Sequence, residues 1–378
     1  MKISNVRVFR LNLPTDVWML VSIETDIGLT GWAEITDSFN DDSLAHTVLE
    51  AKQSLIGKNP LHINECLAPF TRWTYPSREI IRYYRVVLSG IDQALWDLNA
   101  KFYDVPLYKL YGADGSTSVP LYANLNKAIR NKRDADTLKT QGELARASGF
   151  KMVKCTPFDE VSPCMSHTLL EKGFERFAAL AEVVPVENIA IDCHQRFERH
   201  SLTQMADKIL KDFGIPYWIE DPVEISDFTT MAIMQSRFPQ VLWAAGEDSL
   251  TIKQIHKIVV SESYDILMPD VKYIGGPSTV KPIIQYAEST GFRVSLHNPN
   301  GIIATAHSAH LSALSRNDIP MEFPFKAVED RNTLSVPKEN IIDGTYVFND
   351  SPGIGVDITK EVLKEFAFEY CENSWIHL

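Results

Sequence analysis

The feature that most constrains this sequence is a regular alternation of short β-type runs with helical stretches, which begins at Val119. Most of the segments between the runs are long enough for one helix and its loops. Alternating strands and helices predict a parallel sheet, and eight such units predict a (β/α)8 barrel of the TIM type, or its modified (β/α)7β form. The eight predicted strands cover residues 120–123, 152–156, 189–194, 217–220, 242–246, 266–269, 293–297 and 320–323.

The chain before Val119 has a different pattern, with strands first and helices after. Val17, Met19, Val21 and Ile23 alternate along one face of a strand that follows a short turn. A helix is predicted over 78–102, because its apolar and aromatic positions recur every three or four residues. We therefore expect an α+β domain at residues 1–118, the barrel at 119–332, and a C-terminal segment at 333–378 that packs back on the first domain.

Charge and composition exclude several classes of protein. The chain has 37 basic and 49 acidic residues, a net charge of −12 and no Lys/Arg block, which argues against nucleic acid and anionic membranes as partners. No apolar run approaches the roughly 18 residues of a membrane-spanning helix, and the N-terminus lacks the apolar stretch of a secretory signal. The five cysteines form no C-x-x-C pair, which argues against a disulfide framework or a structural zinc site. These features predict a cytoplasmic protein.

One polar or ionisable side chain recurs near the end of each predicted strand from the second onward, at intervals of 23 to 38 residues. Active sites of such barrels lie at the C-terminal ends of the strands, so these side chains would converge on one mouth. A single one would usually be a helix cap or a solvated loop residue. Seven of them together would be costly to bury without a function or a cation. They are Lys154, Asp192, Glu220, Glu247, Asp270, His297 and Glu322.

Three consecutive strands end in carboxylates, Asp192, Glu220 and Glu247, with no cluster of Cys or His beside them. Hard oxygen donors that leave room for water and substrate favour Mg²⁺ over zinc, so we expect one Mg²⁺ per subunit. Strand alternation also places His194 on the face of Asp192, and Thr156 on the face of Lys154, with the intervening cysteines packed outward.

Asp270 and His297 end the sixth and seventh predicted strands and could form a dyad. A carboxylate that orients and polarises an imidazole supplies a base near neutral pH. Lys272, two residues after Asp270, is a competing base on the same face. We favour a structural role for it, because Gly275-Gly276 indicates that the chain is already leaving the strand.

Short motifs related to these residues are spread over nearly the whole chain. They are Gly31-Trp32-Ala33-Glu34, Ser89-Gly90-Ile91-Asp92-Gln93-Ala94-Leu95-Trp96-Asp97, Trp218-Ile219-Glu220-Asp221-Pro222, Ala245-Gly246-Glu247, Met268-Pro269-Asp270 and Ser295-Leu296-His297-Asn298-Pro299. Together they resemble the enolase superfamily, in its mandelate racemase-like subgroup. The resemblance implies an α+β capping domain over the barrel and removal of the proton next to a carboxylate, giving an enediolate stabilised by Mg²⁺.

The resemblance also implies roles for individual residues. Asp192, Glu220 and Glu247 would hold Mg²⁺, which binds the substrate carboxylate. Asp270 with His297 would be the catalytic dyad. Glu322 would hydrogen-bond a substrate carboxylate oxygen, which requires Glu322 to be protonated or otherwise matched in charge.

One departure from the racemase pattern bears on the reaction. Racemases of this subgroup carry Lys-x-Lys after the second strand, whereas this chain has Lys154-Cys155-Thr156, and a threonine cannot serve as the second base. Asp192-x-His194 instead resembles galactonate dehydratase-type members, as does the short hairpin at residues 13–20. We include Lys154 among the catalytic candidates, with Thr156, Asn298, Trp18 and Arg82 as further candidates for substrate contact.

The resemblance thus predicts a Mg²⁺-dependent dehydratase of an anionic sugar acid, an aldonate or aldarate. His297 would abstract the C2 proton and His194 would protonate the departing 3-hydroxyl, giving a 2-keto-3-deoxy acid. An epimerase, racemase or cycloisomerase using the same enediolate stays open, as does a non-catalytic member or a metabolite-binding protein. Specificity would reside in residues 14–18, 37–41 and 73–85 of the capping domain, and family resemblance suggests a homo-oligomer, from dimer to octamer.

Overall fold

A computed structural model describes residues 1–37, 40–71, 78–113, 115, 117–130, 132–162, 167–315 and 319–378. Residues 38–39 and 73–77, which belong to the regions expected to set specificity, lie outside the described residues. So does Cys164, while the other four cysteines are free thiols.

The N-terminal part of the chain forms a three-stranded meander followed by four helices. The tight turn between the first two strands is closed by a hydrogen bond from Leu13 N to Asp16 O, of 2.9 Å. The long helix has the bounds that its spacing of apolar residues predicts. The elements are β1 (Ile3–Asn12), β2 (Val17–Thr25), β3 (Thr30–Glu34), α1 (Asp41–Leu55), α2 (Ile63–Thr71), α3 (Arg78–Phe102) and α4 (Leu107–Tyr111).

All eight predicted barrel strands are present, and helices connect them. The strands are β4 (Ser118–Asn124), β5 (Val153–Cys155), β6 (Ile189–Asp192), β7 (Trp218–Glu220), β8 (Trp243–Ala245), β9 (Ile266–Leu267), β10 (Arg293–Val294) and β11 (Met321–Pro324). The helices are α5 (Asn126–Ile129), α6 (Ala135–Ala147), α7 (His167–Ala181), α8 (Arg199–Asp212), α9 (Phe228–Arg237), α10 (Ile252–Ser261), α11 (Pro277–Thr290) and α12 (Ile302–Ser312), with 3₁₀ turns at Val186–Asn188 and Arg331–Thr333.

These eight strands are parallel and run side by side from β10 through β9, β8, β7, β6, β5 and β4 to β11. The seam between β10 and β11 has no paired register. It is bridged by Ser295 Oγ, which donates to Pro320 O at 2.8 Å, and by Glu322 N, which approaches Leu296 O at 3.4 Å. The fold is therefore a TIM-type barrel with one loosely joined seam, as the alternation predicts.

The C-terminal segment returns to the N-terminal sheet. It contains β12 (Ile341–Ile342), β13 (Thr345–Val347), α13 (Lys360–Phe366), β14 (Ala367–Cys371) and β15 (Ser374–His377). β14 pairs antiparallel with β1, with Leu11 opposite Ala367, and β13 pairs with the start of β4. The capping sheet, in the order β15-β14-β1-β2-β3, thus contains strands from both ends of the chain.

Strand β2 is buried on both faces, although its sequence shows one alternating face. Met19, Val21 and Ile23 pack with the helices of the capping domain, whereas Trp18 and Leu20 belong to the large core shared with the barrel. The capping sheet therefore lies between two apolar layers, and the layer that it shares with the barrel fixes its position over the barrel.

A small apolar layer fills the lower part of the barrel interior. It contains Tyr122, Met152, Ala190, Trp218, Ala244, Ile266 and Met268. Because side chains alternate along a strand, the residues two positions after Met152, Ala190 and Trp218 also face inward, one layer higher. Those residues are Lys154, Asp192 and Glu220. Within the described residues, no helix is both long and apolar enough to cross a membrane.

Candidate active site

The centre of the mouth is an ammonium group surrounded by carboxylates. Lys154 Nζ lies 2.6 Å from Glu220 Oε1, 3.1 Å from Glu322 Oε1 and 3.6 Å from Asp192 Oδ2. Burial alone would lower the pKa of Lys154, but the carboxylates around it raise that pKa well above its ordinary value. In these contacts the ammonium form of Lys154 is favoured.

Glu247 reaches the same mouth by a different route. The inward positions of β8 are Ala244 and Gly246, so alternation alone would turn Glu247 away from the interior. Gly246 has a φ of +129°, a conformation that side chains with a Cβ rarely adopt, and this breaks the alternation. Glu247 Oε2 consequently lies 3.0 Å from His297 Nε2.

Asp270 and His297 form a hydrogen-bonded pair. His297 Nδ1 lies 2.9 Å from Asp270 Oδ2, while Asp270 Oδ1 accepts a hydrogen bond of 2.7 Å from Lys272 N. A carboxylate accepts hydrogen bonds, so this contact places a proton on Nδ1 and directs Nε2 to the mouth. Burial raises the pKa of Asp270, but the positive charge of Lys272 and the His297 contact outweigh burial and lower it.

The pKa of His297 reflects its carboxylate neighbours. Burial lowers this pKa, but Glu247, Glu322 and Asp270 outweigh burial and raise it well above the ordinary value for histidine. As the structure stands, the imidazole is protonated near neutral pH. Loss of the Glu247 contact would remove the largest of the charges that raise this pKa and would favour the neutral, basic form.

His194 lies beside Asp192 at the partly exposed edge of the mouth. Its Nε2 is 3.1 Å from Asp192 Oδ2, and its Nδ1 is 3.6 Å from Asp159 Oδ1. Burial lowers the pKa of His194, but Asp192 outweighs burial and raises it to about 9. A group that is protonated at neutral pH and partly open to the mouth can act as a general acid.

The carboxylates of the mouth outnumber its cations. Asp221 follows Glu220 and is buried, and neither of its side-chain oxygens has a hydrogen-bond partner among the described residues. Burial first, and then the charges of Glu247, Glu220 and Asp192, raise the pKa of Asp221 well above its ordinary value. Such a surplus of buried carboxylates is the donor set that a hard divalent cation requires.

These carboxylates are nevertheless held by protein cations. In the described part of the chain, no three His, Cys, Asp or Glu side chains are grouped as an ion would require. Lys154 contacts Asp192 and Glu220, and His297 contacts Glu247. The residues thus fit a cation by their chemistry, provided that Glu220 and Glu247 exchange these contacts for the ion.

Glu322 is fixed by several donors. Its Oε2 accepts a hydrogen bond of 2.8 Å from Asn298 N, and its Oε1 contacts Asn124 Nδ2 and Lys154 Nζ. Burial raises the pKa of Glu322, but Lys154 and His297 outweigh burial and lower it. Glu322 is therefore ionised, with its charge matched by Lys154. Asn298 is buried behind it, and its Nδ2 donates to Thr305 Oγ1 at 2.9 Å.

Thr156 lies at the mouth but already has partners. Its Oγ1 donates to Asn126 Oδ1 at 2.9 Å and accepts a hydrogen bond of 2.7 Å from Arg133 Nη1. Arg133 also forms an ion pair with Asp159, the residue beside His194. Thr156 thus connects the end of β5 to the start of α5 and to the loop after α5.

Trp18 is buried in the hairpin that leads to the barrel. Its Nε1 lies 3.3 Å from Asp16 Oδ2, which also binds Lys127 Nζ at 2.7 Å. These three residues line a cavity of about 670 Å³ between the capping domain and the barrel loops, together with Lys272, Tyr273 and Asn300. The indole contributes a wall of this cavity and not an exposed surface.

Arg82 is committed to protein partners. Its guanidinium donates to both oxygens of Asp37 at 3.1 Å and to Asp248 Oδ1 at 2.7 Å. The group also lies over the ring of Tyr273, 4.1 Å from the centroid. These contacts place Arg82 at the interface of the two domains, and its contact with substrate stays a prediction.

Several residues of the mouth were not found by sequence reasoning. Asn124 ends β4 and obeys the same rule as the seven predicted residues, so extending that rule to the first strand would have found it. Asp221 stands inside a recognised motif, next to Glu220. Asp159, Gln195 and Asp248 lie in loops, and no periodic signal marks them.

Two family models match the chain over most of its length. Residues 7–112 match the model described as "Mandelate racemase / muconate lactonizing enzyme, N-terminal domain". Residues 137–362 match the model described as "Enolase C-terminal domain-like". The two matches correspond to the capping domain and to most of the barrel.

Individual relatives agree with these models. The D-galactonate dehydratase of Pectobacterium atrosepticum is 26% identical over 385 residues, covering 97% of this chain and 94% of that protein. The D-gluconate dehydratase of Thermoproteus tenax is 25% identical over 359 residues, covering 94% of this chain and 70% of that protein. A solved enolase-superfamily member from Salmonella Typhimurium superposes with a TM-score of 0.84 at 22% identity, covering 97% of this chain and 99% of its own.

A further solved structure contains ligands. It is an enolase from Agrobacterium radiobacter, with bound Na and L-malate, whose description proposes galactarate dehydratase activity. Its TM-score is 0.83 at 25% identity, and the alignment covers 100% of this chain and 96% of that one.

Proposed function

This chain belongs to the mandelate racemase/muconate lactonizing enzyme family of the enolase superfamily, and we propose that it is a Mg²⁺-dependent dehydratase of a sugar acid. The substrate class is an aldonate or an aldarate, and the product is a 2-keto-3-deoxy acid and water. The observation that carries the proposal is the presence of two differently placed imidazoles, His297 and His194, at one mouth lined by carboxylates. The names of the galactonate and gluconate dehydratases among its relatives support the same chemistry.

Asp192, Glu220 and Glu247 would hold the Mg²⁺. When bound, the ion supplies positive charge to the substrate carboxylate while negative charge develops on it. The position of these three carboxylates at one mouth, where Lys154 and His297 contact them, supports this choice of ligands.

His297 is the base in this proposal. Glu247 gives up its contact with His297 Nε2, which lowers the pKa of the imidazole and leaves Nε2 to accept the C2 proton. Asp270 keeps the other ring nitrogen protonated and stabilises the imidazolium that forms. Lys154 would offer its positive charge to the carboxylate that becomes an enediolate, and Glu322, which contacts Lys154 and Asn298 N, holds Lys154 and the end of β11 in place.

His194 is the acid. Its raised pKa, about 9, keeps the ring protonated at neutral pH, so it can give a proton to the departing 3-hydroxyl. The C2–H and C3–O bonds break, water leaves, and the enol that remains converts to the 2-keto acid. Thr156, bonded to Asn126 and Arg133, offers no second base for racemisation.

The test is a keto-acid assay over a library of hexonates, pentonates and aldarates with added Mg²⁺. We expect at least one sugar acid to yield a 2-keto-3-deoxy acid, and EDTA to abolish the reaction. If no sugar acid of the library yields a keto acid while the protein has metal bound, that result would favour a non-catalytic member instead. Conversion of a sugar acid to its epimer without keto acid would assign the enediolate to an epimerase.

A further inference from the structure

We propose that Asp37, Arg82, Asp248 and Gln195 form an interdomain clamp that positions two loops of the active site. The clamp joins the capping domain to the loop after β8, which carries Glu247, and to the turn after β6, which carries His194. The assignment of these two loops to catalysis rests on the proposed function. The clamp residues touch neither substrate nor metal in this proposal, so they are positioning residues.

The first half of the clamp lies in the capping domain. Arg82, on α3, binds both oxygens of Asp37 in a fork, at 3.1 Å each. The Asp37 side chain is only 1% exposed, and it follows β3 in the chain. Because a two-pronged contact fixes direction as well as distance, Arg82 is held in one orientation toward the barrel.

The second half crosses into the barrel. The remaining Arg82 nitrogen, Nη1, donates to Asp248 Oδ1 at 2.7 Å. The other oxygen of the same carboxylate, Oδ2, accepts a hydrogen bond of 2.9 Å from Gln195 Nε2. Asp248 directly follows Glu247, and Gln195 directly follows His194. One carboxylate thus ties together the two loops that carry a proposed metal ligand and the proposed acid.

The turn that carries His194 needs such an external contact. His194 and Gln195 have φ angles of 48° and 58°, so two successive residues with a Cβ adopt the left-handed conformation. This conformation is costly for residues other than glycine and persists only where the surroundings impose it. The backbone N–H of Gln195 donates to Asp221 O at 2.6 Å, and its side-chain Nε2 donates to Asp248 Oδ2. The clamp therefore completes the contacts that hold this turn.

The same region of the capping domain contacts two other loops. Lys272 Nζ donates to Thr36 O at 2.5 Å, and Glu34 accepts hydrogen bonds from Gly301 N and Ala304 N at the start of α12. Those loops follow Asp270 and His297. The end of β3 and the residues after it thus contact the loops that follow Asp270 and His297, and Arg82 links the same region to the loops that carry Glu247 and His194.

The experiment uses Arg82→Gln, which removes the fork and its charge, with Arg7→Gln as the matched control. Arg7 binds Glu369 with two nitrogens, at 2.8 and 2.6 Å, inside the capping sheet and away from the barrel. We expect Arg82→Gln to lower kcat roughly 10- to 100-fold with less than about a threefold change in KM, since small displacements of catalytic groups act on the transition state. Arg7→Gln is expected to keep kcat within about twofold.

A second readout does not depend on turnover. Backbone hydrogen exchange of residues 193–197 and 246–250 is expected to become faster in Arg82→Gln and to stay at the wild-type rate in Arg7→Gln. The affinity for Mn²⁺ alone, measured by electron paramagnetic resonance, is expected to fall in Arg82→Gln, because Glu247 lies in the released loop. Unchanged exchange in both loops, or equal effects of the two variants, would overturn the clamp.

Gln195→Ala guards against a general loss of folding, because it removes only the last contact of the clamp. It is expected to speed exchange at 193–197 and to lower kcat, while the melting temperature of the protein stays unchanged. Wild-type protein that forms no keto acid from any sugar acid would contradict the proposed function alone. The clamp is then judged by hydrogen exchange and Mn²⁺ affinity, where a change in Arg82→Gln supports it and wild-type behaviour refutes it.

Discussion

At the scale of single residues, the two histidines of the mouth differ in what their ring nitrogens contact. His297 has Asp270 on Nδ1 and Glu247 on Nε2, whereas His194 has Asp159 on Nδ1 and Asp192 on Nε2. His297 is 9% exposed, and His194 lies at the open edge. This difference in environment is the physical basis for giving the two imidazoles different tasks.

Substitution of the two histidines separates these tasks. His297→Asn is expected to lose both dehydration and exchange of the C2 hydrogen in D₂O, by roughly 10²- to 10⁴-fold, because no base remains. His194→Asn is expected to lose dehydration to a similar degree but to keep C2 exchange. Proton NMR of the recovered sugar acid measures both quantities.

His200→Asn provides the control, since His200 is an exposed histidine on α8. This substitution is expected to leave both rates unchanged. C2 exchange that survives in His297→Asn but disappears in His194→Asn would reverse the assignment of acid and base.

At the scale of elements, most of the barrel follows from alternation and spacing. The eight strands and α3 are predictable because burial imposes a period on their sequences, and the inward positions at Lys154, Asp192 and Glu220 follow from the same period. Glu247 is an exception, since Gly246 reverses the direction of the following side chain. The partners of Arg82 are 45 and 166 residues away in the chain, and local pattern carries no information about such contacts.

Gly246→Ala tests the element-scale account of β8. A Cβ at this position would lie 3.2 Å from Met268 N, at a φ of +129°. We expect a loss of about 1–2 kcal/mol of unfolding free energy from backbone strain, together with weaker Mn²⁺ binding, because Glu247 is displaced. Chemical denaturation and a Mn²⁺ titration measure the two effects.

Gly214→Ala is the matched control for this prediction. Gly214 has a φ of +114°, but no atom lies within 4 Å of the position that a Cβ would occupy there. Its replacement by alanine therefore strains the backbone without a steric contact to a neighbouring strand. It is expected to destabilise the protein similarly and to leave Mn²⁺ affinity unchanged. Equal Mn²⁺ affinity in both glycine variants would refute the role given to Gly246.

At the scale of the whole molecule, the capping domain and the barrel share buried polar contacts besides the clamp. Asp92, on α3, accepts hydrogen bonds of 2.7 Å from both Ser278 N and Ser278 Oγ at the start of α11. Burial raises the pKa of Asp92 to about 7, and the Ser278 contacts only partly oppose this. The interface therefore holds a carboxyl group that favours its neutral form.

This carboxyl group makes the stability of the interface depend on pH. The folded chain keeps a proton on Asp92 from about pH 4 to pH 7, where the unfolded chain releases it, so its contribution to stability falls as pH rises through that range. We expect Asp92→Asn, which preserves an acceptor and a donor for Ser278, to gain stability relative to wild type as pH rises from 5 to 8, by on the order of 3 kcal/mol. Melting temperatures across this range check it, and a constant difference between the two proteins would contradict it.

The overall shape of the mouth, with one domain capping the other, is predictable from motifs, but its charge balance is not. The sequence contains the carboxylates, yet only the folded chain shows Lys154 among three of them and Asp221 without a partner in the described residues. Those two features depend on side-chain directions at the ends of different strands. Lys154 contacts two of the proposed metal ligands, Asp192 and Glu220, so these side-chain directions bear directly on the proposed metal site.

The most direct test of the central claim is proton NMR of the wild-type protein in D₂O, with Mg²⁺ and each sugar acid of the library in turn. The account predicts a 2-keto-3-deoxy acid with loss of the C2 hydrogen and the C3 oxygen, and no epimer. Deuterium at C2 of recovered substrate, or its epimer, without any keto acid would contradict it.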